Sequence, residues 1–431
     1  MAQTIVVRLR VEVEGKTFAQ MEAELMNQLR EQLGPAVGAE VRAVATGMGA
    51  GVCAGCGGQR RKRGREPRKV VGLFGEVDFE RDRTDCRGCG SRAYPADDVL
   101  GLEPKERYSL GVAEKALFLA TDSSYAKAAA GMKELLQVNI SHGEIHRLAQ
   151  KEGELLHHTF EGLRERIFER GERGELERLE AAAPVKDLVI IQADGTYVRD
   201  RGSKDRMEAK AGIVYSRKVR ISKGRNQLVD KQTYGGVETM KAFGEKLALL
   251  AAQQGAFKAK QLWFVSDGDL NLKQLRKDYF PTAVYFLDIW HLQDRLAGAM
   301  GDEVAAAELG GLMTLAVTGK VDQIIERLAE LWADQGDDDQ RRGLLGDVIT
   351  YIDSNREGIV VYAKYGAQAS GAIEKTMDVT VGRRLKAKGT SWNRPGAHRL
   401  LGLRILKQNG RWPRYWEARR SRTPLTQVFA V

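Results

Sequence analysis

Cysteine is scarce in this chain, with four among 431 residues, and all four fall in two tight pairs. That usage excludes a disulfide-stapled scaffold and points to a reduced, cytoplasmic setting. No segment approaches the roughly 18 to 20 consecutive apolar residues that span a bilayer, so no membrane partner is expected. The N-terminal run MAQTIVVRLRVEVEGK alternates apolar and charged residues and lacks the apolar stretch of a signal peptide. An acidic surplus is also missing. Lys and Arg number 68 against 58 Asp and Glu, for a net charge of +10, and 29% of residues are charged. The chain is therefore a solvated globular protein of two to four domains with a basic excess. Nucleic acid, an anionic membrane surface and an acidic small substrate all fit that balance.

Residues 3–14 alternate as an edge strand does, and residues 17–33 repeat apolar positions at helical spacing. Together they make a strand-helix segment over 1–45. Gly15-Lys16-Thr17 invites comparison with a phosphate-binding loop. That motif needs a Gly five residues before the Gly-Lys pair, where Arg10 stands, so it is excluded. Cys53-Ala-Gly-Cys56-Gly and Cys86-Arg-Gly-Cys89-Gly are two CxxC knuckles. Four thiolates close a tetrahedral site and the following Gly allows the tight turn. The expectation is a structural Zn²⁺ on Cys53, Cys56, Cys86 and Cys89, in a zinc-ribbon-like module over 46–100. Between the knuckles VVGLFGEVDF reads as a hairpin. Arg60 to Lys69 reads as a basic loop that either contacts phosphate or is simply solvated.

Residues 101–150 read as a helix-turn-helix DNA-binding domain, with Ser141 and Glu144 spaced as a capping box. A plain helical hairpin is the alternative. His142 and His146 stand four apart, but with no third ligand nearby they are read as surface or DNA-facing side chains. A charged helical linker follows over 151–184. From residue 185 the pattern becomes LVIIQADGTYV, AKAGIVYSRKV and QLVDKQTYGGV as strands. A helix, the strand LWFVSD, a helix and the strand AVYFLDIW come next. The order βββαβαβα is that of a ribonuclease H-like mixed sheet with helices on both faces. This α/β domain is placed at 185–294 and 366–410, split by an all-α insertion over 295–365. Residues 411–431 form a basic tail, with Arg411, Arg414, Arg419, Arg420 and Arg422 interleaved with Trp412 and Trp416, a composition suited to tracking DNA.

Asp194 and Asp267 each close an apolar strand and precede a Gly. Glu374, in SGAIEKTMD, opens a helix that runs into Arg383, Arg384, Lys386 and Lys388. Taken singly, an Asp-Gly pair is a turn signal and a Glu near a helix start suits the dipole. In the strand order above, Asp194 and Asp267 would meet. Three carboxylates converging beside dense positive charge suit two-metal phosphoryl transfer on nucleic acid. Asp269 and Asp378 lie near enough to be mistaken for the ligands.

These segments resemble the DDE transposases of bacterial insertion sequences, close to the ISKra-type group and related to the Mutator-like superfamily. The matching pieces are ADGTYV around Asp194, VSDGD around Asp267, SGAIEKTMDVTVGRRLKAKGTSWNRPGAHRLLGLR around Glu374, and Asp288-Ile-Trp-His291. The resemblance runs over roughly residues 100–410. It implies cleavage at terminal inverted repeats followed by strand transfer into target DNA, with two Mg²⁺ or Mn²⁺ ions on Asp194, Asp267 and Glu374. His291, placed by Asp288, would contact the scissile phosphate or aid proton transfer; a hydrogen-bonded core histidine is its alternative. Arg383, Arg384, Lys386 and Lys388 would clamp the DNA backbone. Trp392 would either stack on an unpaired base or pack at the surface. A homodimer or larger assembly on paired ends, nucleoid-associated when bound to DNA, is also implied.

Two other functions compete. One is a ribonuclease H-like nuclease or resolvase that cuts without joining, which the accessory cysteine, helix-turn-helix and insertion segments argue against. The other is a domesticated, non-catalytic DNA-binding protein, against which the presence of all three carboxylates speaks. An RNA-guided nuclease is excluded, because its zinc ribbon would lie inside the catalytic domain.

Overall fold

The computed structural model describes residues 10–15, 17–46, 48–336 and 338–429. They form two compact units. One holds the described residues up to Leu148 with Trp416–Thr423, the other Ala149–Tyr415 with those from Pro424 onward. The edge strand expected over 3–14 lies outside the described residues as far as position 9, and residues 10–15 carry no strand. No helix among the described residues is long and apolar enough to cross a membrane.

In the first unit, strands β1 (Arg60–Gly72), β2 (Gly75–Cys86) and β3 (Arg92–Ala93) form an antiparallel sheet in the order β1-β2-β3. The hairpin is longer than expected and absorbs the basic run Arg60–Lys69, which is strand and not loop. Acidic residues on β2 account for this. Arg63 meets Asp85 at 3.3 Å, Arg65 meets Asp82 at 3.5 Å, Lys69 meets Glu76 at 2.5 Å, and Lys62 also pairs with Asp82. Opposite charges across a ladder hold register, and they leave little of this run for phosphate. Helices Leu110–Ala120 and Tyr125–Leu136, and the helix beginning at His142, are each capped by a serine: Ser109, Ser124 and Ser141. The capping box is only half made, since the Glu144 carboxylate engages Arg147. The C-terminal segment is packed and helical and not an extended basic tail. Its Trp416 is fully buried, Arg419 pairs with Glu103, and Arg420 meets Glu114 at 2.8 Å.

The second unit is built on a five-stranded mixed sheet. Its strands are β4 (Leu188–Arg199), β5 (Arg206–Tyr215), β8 (Gln232–Gly236), β9 (Gln261–Ser266) and β10 (Val284–Leu287), in the order β10-β9-β4-β5-β8. β4, β5 and β8 pair antiparallel, whereas β9 runs parallel to both β4 and β10. Parallel neighbours require crossovers, supplied by helices Met240–Gln253 and Leu270–Tyr279. Phe243, Leu247 and Leu250 of the first helix pack on Val189, Ile191 and Phe264 of the sheet. Each such side chain contributes about 1.5–3 kcal/mol on burial. Ile289–Met300 begins a stretch whose regular elements are all helices, ending at Tyr362–Tyr365. Trp412 and Tyr415 are buried in this unit, and the Tyr415 hydroxyl donates to Glu152 at 2.7 Å.

Two of the expected strands are each broken in two. AKAGIVYSRKV stops at Tyr215 and QLVDKQTYGGV divides at Asp230. The pieces between form a separate two-stranded ribbon, β6 (Arg217–Ser222) and β7 (Arg225–Val229). Gly224, at φ +72°, makes its turn. The ribbon's base is pinned where Ser216 donates to Asp230 at 2.7 Å and to the Val229 carbonyl at 3.0 Å.

Beside β8 lies a buried histidine pair. His398 Nδ1 accepts the Val237 N–H at 3.1 Å, so its proton sits on Nε2, 2.9 Å from His157 Nδ1. Burial pushes His398 down to about 4. Between pH 6.5 and 4 the unfolded chain therefore binds a proton that the folded chain refuses, and stability falls as pH falls. The expected slope from this residue is about 1.4 kcal/mol per pH unit. Urea unfolding between pH 7 and pH 4 should show that component reduced in His398→Gln; an unaltered pH dependence would refute the assignment.

Candidate active site

The parallel pairing of β4 and β9 sets Gln192 opposite Val265. Two residues further on, Asp194 and Asp267 stand at the same level of adjacent strands, on the side-chain period of two. Asp194 remains within β4, opposite Ala211, and its Oδ1 accepts the Gly195 N–H at 2.7 Å. Asp267 lies one residue past β9. Its carbonyl accepts the Tyr351 hydroxyl at 2.6 Å and its Oδ1 accepts the Asp269 N–H at 3.0 Å. Gly268 adopts φ +90°, and a Cβ there would stand 2.8 Å from the Tyr351 ring, so no other residue fits the turn without displacing it. Asp269 is a helix cap, accepting the N–H groups of Asn271 and Leu272, rather than a rival ligand.

Glu374 lies on the helix Gly371–Met377, which is tied to the sheet by a residue that sequence analysis passed over. Gln192 is 1% exposed; its Oε1 accepts the Ile373 N–H at 3.0 Å and its Nε2 donates to the Ala369 carbonyl at 3.0 Å. A lone amide in the apolar run LVIIQ was the available signal, because a buried amide requires partners. Asp288 supplies a second tie. It is fully buried, caps the helix Ile289–Met300 through the N–H groups of Trp290 and His291, and also accepts the Ser370 N–H. Burial acts to raise the Asp288 carboxyl, yet hydrogen bonds from His291 and Ser370 hold it well below the usual carboxylate range. His291 Nδ1 stands 3.4 Å from Asp288, which raises the imidazole above its ordinary value.

The ligand-type atoms of Asp288, His291 and Glu374 lie within 4.8 Å of one another. Asp288 is already engaged by three backbone donors, so its part is positioning. Burial lifts the Asp194 carboxyl to about 6 against the Gly195 hydrogen bond; Asp267 and Glu374 push it up and His291 pulls it down. Asp194, Asp267, Glu374, His291 and Asp288 thus share one locality, although they come from positions 180 residues apart in the chain (374 − 194). The ionised form of the buried Asp194 is disfavoured here, and added positive charge would relieve that.

The basic residues divide. Arg383 is exposed and pairs with Asp378 at 3.0 Å, Lys386 bonds the Thr196 hydroxyl, and Lys388 is exposed. Arg384 departs from expectation, and Trp392 takes the packed alternative. Arg384 is 3% exposed with its guanidinium 4.9 Å from the Trp392 ring centre, and the indole, itself buried, donates to the Leu385 carbonyl at 3.0 Å. They form a packed pair, so Arg384 is no backbone clamp and Trp392 no base-stacking platform. Backbone bonds from Trp392 to Arg199 and Arg201 join this loop to the β4–β5 tip. Between loop and tip runs an open groove of about 750 Å³ lined by Arg199, Arg201, Lys204, Arg206, Lys386 and Lys388. The tip residues were missed in the sequence because RDRGSKDR reads as a mixed-charge turn.

In the first unit, all four cysteine sulfurs lie within 4.8 Å of one another, with Cys53 and Cys89 at 3.8 Å and Cys56 and Cys86 at 3.4 Å. The knuckles are built alike: Gly57 N–H bonds the Cys53 carbonyl and Gly90 N–H the Cys86 carbonyl, at φ +71° and +72°. A Cβ on Gly58 would stand 3.1 Å from the Cys86 sulfur. A tetrahedron of bonds about 2.3 Å long has edges of about 3.8 Å, so the cluster fits a cation held by thiolates.

Fold and sites together define a multidomain α/β protein with a four-cysteine cluster in one unit and an acidic site on a mixed sheet in the other. The chain belongs to UPF0236, described as an uncharacterised protein family, whose model matches residues 59–420. It is similar to the "UPF0236 protein in vanSb 3′region" of Streptococcus gallolyticus. The two are 24% identical over 358 residues, spanning 81% of this chain and 75% of that protein.

Proposed function

We propose that the protein is a DDE-type DNA transposase, which binds the terminal inverted repeats of its element and catalyses strand cleavage and strand transfer. The observation that carries this is that Asp194 and Asp267 stand level on the adjacent parallel strands β4 and β9, with Glu374 near enough to act on the Asp194 carboxyl, which burial above all lifts to about 6. Two further features support it. Numbered from β4, the sheet order is 5-4-1-2-3 with the last two strands parallel, the arrangement of a ribonuclease H-like domain. The serine-capped helices after the cysteine cluster suit a helix-turn-helix.

On this reading Asp194, Asp267 and Glu374 hold two Mg²⁺ or Mn²⁺ ions, which when bound supply charge neutralisation and an activated oxygen nucleophile for in-line displacement at phosphorus. Gln192 and Asp288 keep the Glu374 helix against the strand ends. His291, poised by Asp288, presents a proton toward the scissile phosphate. Lys386 and Lys388, with the β4–β5 tip, line a basic groove for the DNA backbone. Cys53, Cys56, Cys86 and Cys89 hold a structural Zn²⁺. The protein would act in the cytoplasm on the nucleoid, as a dimer or larger assembly on paired ends.

The test is a cleavage and joining assay on DNA bearing the repeats that flank the gene, with Mg²⁺, Mn²⁺ or chelator. Metal-dependent nicking at repeat ends plus joined product is expected. Nicking without joining would mark a nuclease, and repeat-specific binding without cutting would mark a DNA-binding protein.

A further inference from the structure

The ribbon β6–β7 has no role in the site just described. Over residues 216–229 it carries Arg217, Lys218, Arg220, Lys223 and Arg225, and no acidic residue. All five cations are exposed, and among the described residues none lies in an ion pair within 4.0 Å. The β1–β2 hairpin makes the contrast, since its cations face carboxylates across the ladder. Like charges fixed on one short scaffold repel one another, and a polyanion relieves that repulsion. The ribbon also exposes Val219 and Ile221, at 40% and 53%, and places Asn226 and Gln227 next to its turn.

We propose that this ribbon is an arm that enters the major groove of double-stranded DNA flanking the cut. The inference rests on the DNA reading for its partner, but not on catalysis. Dimensions favour it. Six residues of strand extend about 20 Å, and a groove about 12 Å wide admits a two-stranded ribbon. The five cations reach phosphates on either rim. Amides of Asn and Gln are the side chains that pair with adenine edges, and β-branched methyls suit the thymine methyl. A-form RNA is a poor fit, because its major groove is deep and narrow. The ribbon lies on the side of the carboxylates away from the β4–β5 tip. The ribbon leaves the sheet at Tyr215, opposite Ile190, whereas Asp194 lies opposite Ala211. Four residues of strand place its base about 13 Å from the carboxylates along the sheet.

The experiment uses the full chain in chelator, so that binding is read without cutting. Fluorescence anisotropy would follow a labelled DNA duplex across a salt series, for wild type and for the Lys218→Ala/Arg220→Ala/Arg225→Ala variant. Three lost phosphate contacts should lower the log–log salt slope by about 2 to 3 and weaken binding by roughly tenfold or more at moderate salt. An unchanged melting temperature would confirm that the exposed substitutions leave the fold intact. Unaltered slope and affinity in the triple variant would overturn the ribbon assignment while leaving the catalytic reading standing. So would an equal loss on an RNA duplex, or a loss confined to anionic phosphatidylserine vesicles. Failure of the wild type to bind any DNA would overturn both. Binding that depends on the ribbon in a protein that never cuts would uphold the ribbon and end the transposase reading.

Discussion

Asp267→Asn is expected to lower DNA strand cleavage by on the order of 10³-fold while DNA affinity stays within about twofold. The substitution keeps the shape of the side chain and removes only the charge that, on the proposed reading, would hold a divalent cation. That loss is worth several kcal/mol of transition-state stabilisation, and each 1.36 kcal/mol is tenfold in rate. Asp194→Asn should do the same and, in addition, stabilise the cation-free protein. The Asp194 carboxyl is lifted to about 6, whereas a free Asp titrates near 3.9. Between those values the folded chain keeps a proton that the unfolded chain releases, so this residue's contribution to stability falls as pH rises from 4 to 6. At pH 7 the ionised, buried carboxylate costs about 2–3 kcal/mol, which the neutral amide relieves. A raised melting temperature together with lost cleavage is a pairing that a merely structural residue would not produce. Wild-type cleavage in Asp267→Asn, or a destabilised Asp194→Asn, would sink the site assignment.

The second large effect belongs to the cysteine cluster. Cys53→Ser with Cys56→Ser should release about one equivalent of zinc per chain and unfold the β1–β3 module, with little change in the sheet-bearing unit. Structural zinc in small modules is worth about 10–16 kcal/mol at neutral pH, more than a module of this size can otherwise muster. Elemental analysis of the purified protein measures the metal, and limited proteolysis between residues 48 and 100 measures the unfolding. A variant with the zinc content of wild type would show that the four sulfurs hold something else or nothing.

How far the amino-acid sequence discloses this molecule depends on range. Asp267 was legible as a strand exit because LWFVS is a nearly continuous apolar run that stops abruptly, whereas Asp194 was misread as one, since β4 runs on to Arg199 and stays paired with β5. The CxxC knuckles were legible because paired thiolates at that spacing, each pair followed by Gly, suit a tetrahedral metal and little else. The ribbon was not. Its residues carry strand propensity on both sides of Ser216, and nothing local marks the chain's departure from one sheet to form another. Arg384, Trp412 and Trp416 were misjudged for a related reason. Arginine interleaved with aromatics describes a nucleic-acid surface and an amphipathic helix packed on a core equally well, and only burial separates them. Asp288 was found through its motif, but its partner Ser370 lies 82 residues away and no spacing rule predicts that bond.

That same bond belongs to a closure at the root of the helical stretch. Ile289 N–H meets the Gln368 carbonyl at 3.0 Å, Tyr362 bonds the Leu287 carbonyl, and Asp288 takes the Ser370 N–H. Entry and exit of the excursion are therefore riveted together beside the carboxylates. Once a loop's ends are fixed, doubling its length adds only about 0.6 kcal/mol of closure entropy. Helices could be added to or trimmed from the far end of this excursion with little effect on the carboxylate geometry. The near end, where Tyr351 grips Asp267, would tolerate no such editing.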